Sequence, residues 1–539
     1  MNSKRTWMSL FTTIFFTVSS LANTKTYLNL NTQLEPGPHK IGFKVFHVYD
    51  YANTYAPQYD EDLKRSTKVN PRPMQIAVWY PSTSKAEPMP FREYVYLDAT
   101  KDQFRELSED DRKILDEAFI NQRLFSNLGT ANKDYLAKFL DFPTTVIKNG
   151  EAKEGAFPLL LFVNREYRGI HTNTVMMEYL ASHGYIVATT PSKDHEKSYQ
   201  DGMSDLRLIH ANLSDIKFVK GYMHQFPNVD ANKTGVIGYF VGSFAATMLS
   251  RDDQNIGAVV NLHSLLNDSR FGENILEEMS KIDSIKLDPK AIRAPLMNFY
   301  SLNQGQDDVS DFTDQMRYAD FYRIKLNDQF DRLAFSSLFN ATWLKSTDKH
   351  PEEALTRNDL GYGEILRYTH QFFEAYLNSN SQAKSFIQHT PNQNQMSSKT
   401  LSLIFRQGLK APPTERQFAK MVENEGTDAA IAIYRQRMNE NPDNAFLTRP
   451  SSIYNPAITI SNMDGRLEES IELLNFGREV FPTCPITVMY LGLAHDENGD
   501  KGKAVTYLKE SLSMNPSERV KRFINQEIEK IETAQVARK

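Results

Sequence analysis

Between Pro158 and Tyr300 the chain repeats one pattern: a short unbroken apolar run, then a helical or turn-rich stretch. The runs are Pro158–Val163, Tyr185–Thr189, Thr234–Gly238, Ala258–Leu262 and Pro295–Tyr300. Apolar at nearly every position, they have no polar face to offer water, which predicts strands buried on both sides. Thr174–His183 carries Val175, Met176, Tyr179 and Leu180 on one helical face and stops at Gly184, and Ser204–Gln225 reads as a longer helix. Strands alternating with helices predict an α/β domain with a mostly parallel sheet covered on both faces.

Upstream, Gly37–Phe46 alternates like an edge strand, and Met74–Pro81 reads as a second strand closed by proline. Residues 82–155 look mostly helical and polar. Ser108 with Glu109, Asp110 and Asp111 opens a helix there, with acidic groups at its positive end and an apolar stripe of Ile114, Leu115, Ala118 and Phe119. Downstream, residues near 380–413, rich in Ser, Gln and Asn with Pro412 and Pro413, read as a linker. The remainder is helical and periodic: Gly465 and Gly499, Ser470 and Ala504, Leu474 and Leu508, and Pro482 and Pro516 are each 34 residues apart. Asn441-Pro442 closes a less regular unit before them. This period resembles tetratricopeptide repeats.

A chain of 539 residues is too long for one core. Lys4 and Arg5 precede an apolar run, Trp7–Leu21, interrupted by Thr12, Thr13 and Thr17 and followed by Ala22. The run is short for a membrane span and has the small-residue exit of a signal peptide, with Asn23 as the expected mature start; an uncleaved anchor is the alternative. The expected layout is therefore a signal peptide over 1–22, an α/β domain over 23–395, and a linker with helical repeats over 396–539. The lone Cys484 excludes a disulfide scaffold, and an exported protein without disulfides fits a bacterial periplasm or medium better than an animal secretory route. A net charge of -5 gives no general reason to bind nucleic acid, and no later segment is long and apolar enough to span a membrane.

An α/β-hydrolase places its nucleophile on a strained strand-to-helix turn inside a Gly-x-Ser-x-Gly frame. The frame is here, Gly238-Tyr239-Phe240-Val241-Gly242, with Phe240 at the nucleophile's place. A phenyl ring has neither a lone pair nor an acidic proton. Gly37 to Asn378 resembles bacterial relatives of platelet-activating-factor acetylhydrolase, within the dienelactone-hydrolase-like group. The resemblance rests on Gly37-Pro38-His39-Lys40-Ile41-Gly42-Phe43, Val78-Trp79-Tyr80-Pro81, Ala181-Ser182-His183-Gly184-Tyr185 and the elbow frame. It implies that His263 occupies the acid's position and Asn340, in Asn340-Ala341-Thr342-Trp343, the base's. The oxyanion loop would be Asn164-Arg165-Glu166-Tyr167-Arg168-Gly169, bulky where open backbone is needed.

The function implied is a non-catalytic pseudo-hydrolase, with a cleft for an apolar ligand and repeats for a protein or peptide partner. No metal or cofactor is expected. The alternative is an active esterase with a relocated nucleophile. Ser243 is the first candidate, although a serine in the first turn of a helix more often bonds to backbone. A new site from His263, Asp194, His195 and Glu166 is the second, with no compact ligand spacing to support it. His350 and His370 lie on polar stretches and are expected to face solvent.

Overall fold

The computed structural model describes residues 30–55, 70–121, 132–164, 169–192, 204–267, 271–282, 285–301, 311–327, 335–346, 352–395, 401–442 and 445–536. The chain divides into two compact units between Leu409 and Lys410. The expected signal segment, Asp194, His195 and His350 lie outside the described residues.

The first unit is built on a ten-stranded sheet: β1 Lys40–Tyr55, β2 Asn70–Ser82, β3 Val146–Lys148, β4 Phe157–Val163, β5 Ile186–Thr190, β6 Val229–Tyr239, β7 Ile256–Leu262, β8 Leu296–Ser301, β9 Phe321–Leu326 and β10 Leu401–Arg406. Its order is β10-β9-β8-β7-β6-β4-β5-β2-β1-β3. The run from β9 to β5 is parallel. β2, β1 and β10 join antiparallel at the two sides. Along β4 the side chains alternate between two cores: Leu160 and Phe162 join one, Leu159, Leu161 and Val163 the other. Each core is closed by helices, which is why the central strands carry no polar face.

The helices of this unit are α1 Arg92–Tyr96, α2 Glu109–Ile120, α3 Lys133–Phe139, α4 Thr174–Ser182, α5 Ser204–Met223, α6 Gly242–Asp252, α7 Phe271–Ser280, α8 Asp311–Asp314, α9 Ser337–Ser346, α10 Glu352–Leu377 and α11 Ser381–Ile387. Helix α2 starts where its acidic cluster predicts, with Ser108 and Asp111 forming a reciprocal capping box. Its expected stripe is only partly used, for Phe119 is buried while Ile114 is 64% exposed. Helix α4 ends at Gly184, whose φ of +94° suits glycine. The Arg72 guanidinium donates through Nε and Nη2 to both Asp215 carboxylate oxygens at 2.6 Å, a buried pair that pins β2 to α5.

Two elements differ from expectation. β1 is not the edge strand: short β3 pairs with it at Ile41–Phe43. The segment read as a linker contains α11 and then β10, which pairs with β9 from Leu401↔Leu326 to Arg406↔Phe321. Its Leu401-Ser402-Leu403-Ile404-Phe405 carries a strand-like apolar pattern that the polar composition around it masked.

The second unit is all-α: α12 Glu415–Glu425, α13 Thr427–Glu440, α14 Ser451–Ser461, α15 Leu467–Val480, α16 Pro485–Glu497, α17 Lys501–Ser513 and α18 Glu518–Val536. Residues 34 apart occupy matching places. Gly465 and Gly499 both turn with positive φ, Ser470 and Ala504 are both buried, and so are Leu474 and Leu508. The unit has its own apolar clusters, around Phe418, Ile453, Leu473 and Leu491 and around Leu508, Ile524 and Ile528. No helix among the described residues is long and apolar enough to cross a membrane.

Candidate functional site

β6 runs to Tyr239, the chain reverses at Phe240, and α6 begins at Gly242. Phe240 has φ of +53°, a left-handed conformation that costs an L-residue about 1–2 kcal/mol. The framework imposes it. The Phe240 N–H donates to the Leu262 carbonyl at 2.9 Å, and the Phe240 carbonyl accepts from the Ser243 N–H at 2.9 Å. The flanking glycines are needed for room: a Cβ on Gly238 would lie 2.6 Å from the Gly242 carbonyl oxygen, and one on Gly242 would lie 2.5 Å from that of Val163. This strained elbow on a mostly parallel sheet, with helices on both faces, is the α/β-hydrolase architecture.

The half-buried Phe240 ring packs against both cores. Its centroid lies 5.2 Å from that of His263, which follows β7 with φ of +47°. His263 stacks in turn on Phe335 at 5.4 Å with planes 17° apart. Elbow, strand end and the approach to α9 thus meet in three rings, an arrangement of aromatic faces.

Asn340, in α9, is wholly buried. The start of that helix is tied to the segment before α4, where Ser336 Oγ donates to the Thr172 carbonyl at 2.7 Å and the Ser337 N–H to Asn173 Oδ1 at 3.0 Å. From the other side Tyr135 of α3 donates its hydroxyl to the Ala341 carbonyl at 2.7 Å. An amide at Asn340 has no basic nitrogen to take a proton. Asn164 points into the protein, its amide donating to Thr189 Oγ1 at 3.1 Å and to the Thr190 carbonyl at 3.3 Å. That side chain stitches β4 to β5. Arg165, Glu166, Tyr167 and Arg168 lie outside the described residues.

Ser243 sits in the first turn of α6, buried, and its hydroxyl donates to the Phe240 carbonyl at 2.5 Å. This is the backbone bond expected of such a serine. His370 is a correction: it does not face solvent but lies in α10 against His183, ring centroids 4.2 Å apart. Burial, with the neighbouring His183 charge, pushes its pKa down to about 3. Its helix is amphipathic, and Phe372 and Phe373 beside it are buried too, a pattern that a polar local composition conceals.

Phe335, Asn173 and Glu178 escaped the sequence reading, because nothing in their local pattern sets them apart. Glu178, fully buried in α4, accepts from the Tyr94 hydroxyl at 3.0 Å, the Thr145 N–H at 2.9 Å and Thr145 Oγ1 at 2.5 Å. Burial outweighs these donors and pushes its carboxyl up to about 7. Among the described residues no group of three His, Cys, Asp or Glu side chains is placed to hold a metal ion.

No family model matches the chain, and no curated protein does. Among solved structures, a ferulic acid esterase from Streptomyces cinnamoneus is similar at 16% identity and a TM-score of 0.47, covering 70% of this chain and 99% of its own.

Proposed function

We propose that this is an exported, non-catalytic relative of the platelet-activating-factor acetylhydrolase and dienelactone-hydrolase group. On this reading Phe240, His263 and Asn340 stand where nucleophile, acid and base would be, and the elbow is retained as scaffold. The observation that carries it is Phe240 held at φ +53° between two sterically obligatory glycines, with a phenyl ring where a hydroxyl would be needed. His263 meets aromatic rings at this point, so the residues around the elbow favour an apolar or aromatic ligand. The second unit would be a tetratricopeptide-like array offering a protein or peptide partner a surface, a reading supported by its 34-residue equivalences.

The rival nucleophile is Ser243, and its bond to the Phe240 carbonyl speaks against it. Fluorophosphonate labelling read by intact mass tests the choice. The parent chain should stay unmodified, like Ser243→Ala. A single adduct mapped to Ser243 would overturn the proposal.

A further inference from the structure

The end of α4 meets the later half of α10 through two histidines. The His183 and His370 rings lie 4.2 Å apart between centroids, and the rings of Tyr179 and Tyr185 close the space around His370 at 5.9 and 6.1 Å. The His370 side chain is 12% exposed. His183 Nδ1 lies 2.8 Å from the Tyr179 carbonyl oxygen, which can only accept. Nδ1 therefore carries the hydrogen of the neutral ring, and Nε2 is left to take a second proton. While both histidines are neutral they pack as aromatic faces. Any proton added to them has to be held in the same largely dry space.

The surroundings disfavour that charge. Glu374, one turn further along α10, faces His370, but its Oε1 is 3.9 Å from Nε2, beyond hydrogen-bond reach. The same oxygen already accepts from the Tyr185 hydroxyl at 2.6 Å and the Asn378 amide at 2.9 Å. Glu364 and Arg367, a turn earlier, pair with each other at 3.7 Å. His39 faces His183, with Lys153 3.2 Å from the His39 ring, and Lys233 of β6 donates to Asn378 at 3.2 Å. Lys153, Lys233 and Arg367 thus already outnumber Glu364 and Glu374 before any imidazole takes a proton. Burial lowers the pKa of all three histidines, and for His370 the charge of His183 adds to it.

We propose that the His183–His370 contact is an acid-sensitive latch: neutral, the two rings seat α10 on α4, and charged, they drive the helices apart and loosen the first unit. Helix α10 reaches far enough for this to matter. Beyond His370 it buries Phe372, Phe373 and Leu377 in the core, and before it the Tyr362 hydroxyl donates to Asn173 at 3.1 Å, where α4 meets α9. A histidine whose folded pKa lies below its ordinary 6.5 binds fewer protons in the folded state than in the opened chain. The stability it contributes is present above pH 6.5 and is lost as pH falls through 6.5 toward the folded value. The latch does not depend on whether the elbow performs chemistry.

Urea unfolding of the whole chain followed by tryptophan fluorescence tests the proposal, because every tryptophan precedes Leu409 and so reports on the first unit. Between about pH 7.5 and about pH 5 the unfolding constant of the parent should rise about tenfold or more relative to that of His370→Gln, which cannot charge at this position. His183→Gln removes the other ring and should flatten the profile as well, so the test survives a His370→Gln chain too unstable to measure. Glu178 acts in the opposite direction but equally in all three chains, and it drops out of the comparison. A pH profile of His183→Gln that parallels the parent's overturns the proposal. It is equally overturned if the parent loses nothing against His370→Gln on acidification.

Discussion

At the scale of single residues, the elbow is set by the two glycines that flank it more than by the residue at its apex. Phe240 fills a backbone conformation that disfavours it, while Gly238 and Gly242 stay because no other side chain fits. Strain of about 1–2 kcal/mol at one residue is tolerable when the neighbours over-determine the turn. A methyl group at Gly242 is a different matter, since it would meet the Val163 and Asn164 carbonyl oxygens at 2.5 and 2.7 Å. Both are backbone atoms of a central strand and its exit, and they have little room to give. Gly242→Ala should therefore lower the unfolding free energy by about 3 kcal/mol or more, read as a shift in the urea midpoint. A neutral effect would mean that the elbow relaxes more freely than its contacts indicate. These glycines were legible in the sequence because their spacing is itself the constraint. Phe335 and Asn173 were not, because their roles arise only when distant segments meet.

At the scale of elements, the buried carboxyl of Glu178 links four pieces of chain. Trp79 of β2 donates through its indole N–H to the Tyr94 hydroxyl of α1 at 2.7 Å, Tyr94 donates to Glu178 of α4, and Thr145 just before β3 donates twice more. The carboxyl holds its proton in the folded state up to about pH 7, against an ordinary value of 4.5. Folded protein therefore binds more protons than unfolded chain across that window. The stability present below the lower value is lost as pH rises through the upper one, on the order of 3 kcal/mol in all. Glu178→Gln keeps a neutral group throughout. Its unfolding free energy should gain on the parent's as the buffer moves from about pH 5 to about pH 8. Parallel pH profiles for the two would contradict the raised value. The central strands were legible because burial on both faces leaves a continuous apolar run. β10 was hidden in a Ser- and Gln-rich neighbourhood, and its pairing with β9 is a long-range event that local composition does not report.

At the scale of the whole molecule, two units with separate apolar cores follow one another, and the 34-residue period made the second readable from spacing alone. The first was readable as an α/β domain because its strands alternate with helices. On the proposed reading this sheet and elbow persist without ester chemistry, since function belongs to the site and not to the scaffold. Hydrolysis of p-nitrophenyl acetate and butyrate by the purified chain from Asn23, beside its Ser243→Ala variant, tests that claim most directly. Rates equal to buffer are expected for both proteins. Saturable turnover by the parent that disappears in Ser243→Ala would contradict that reading.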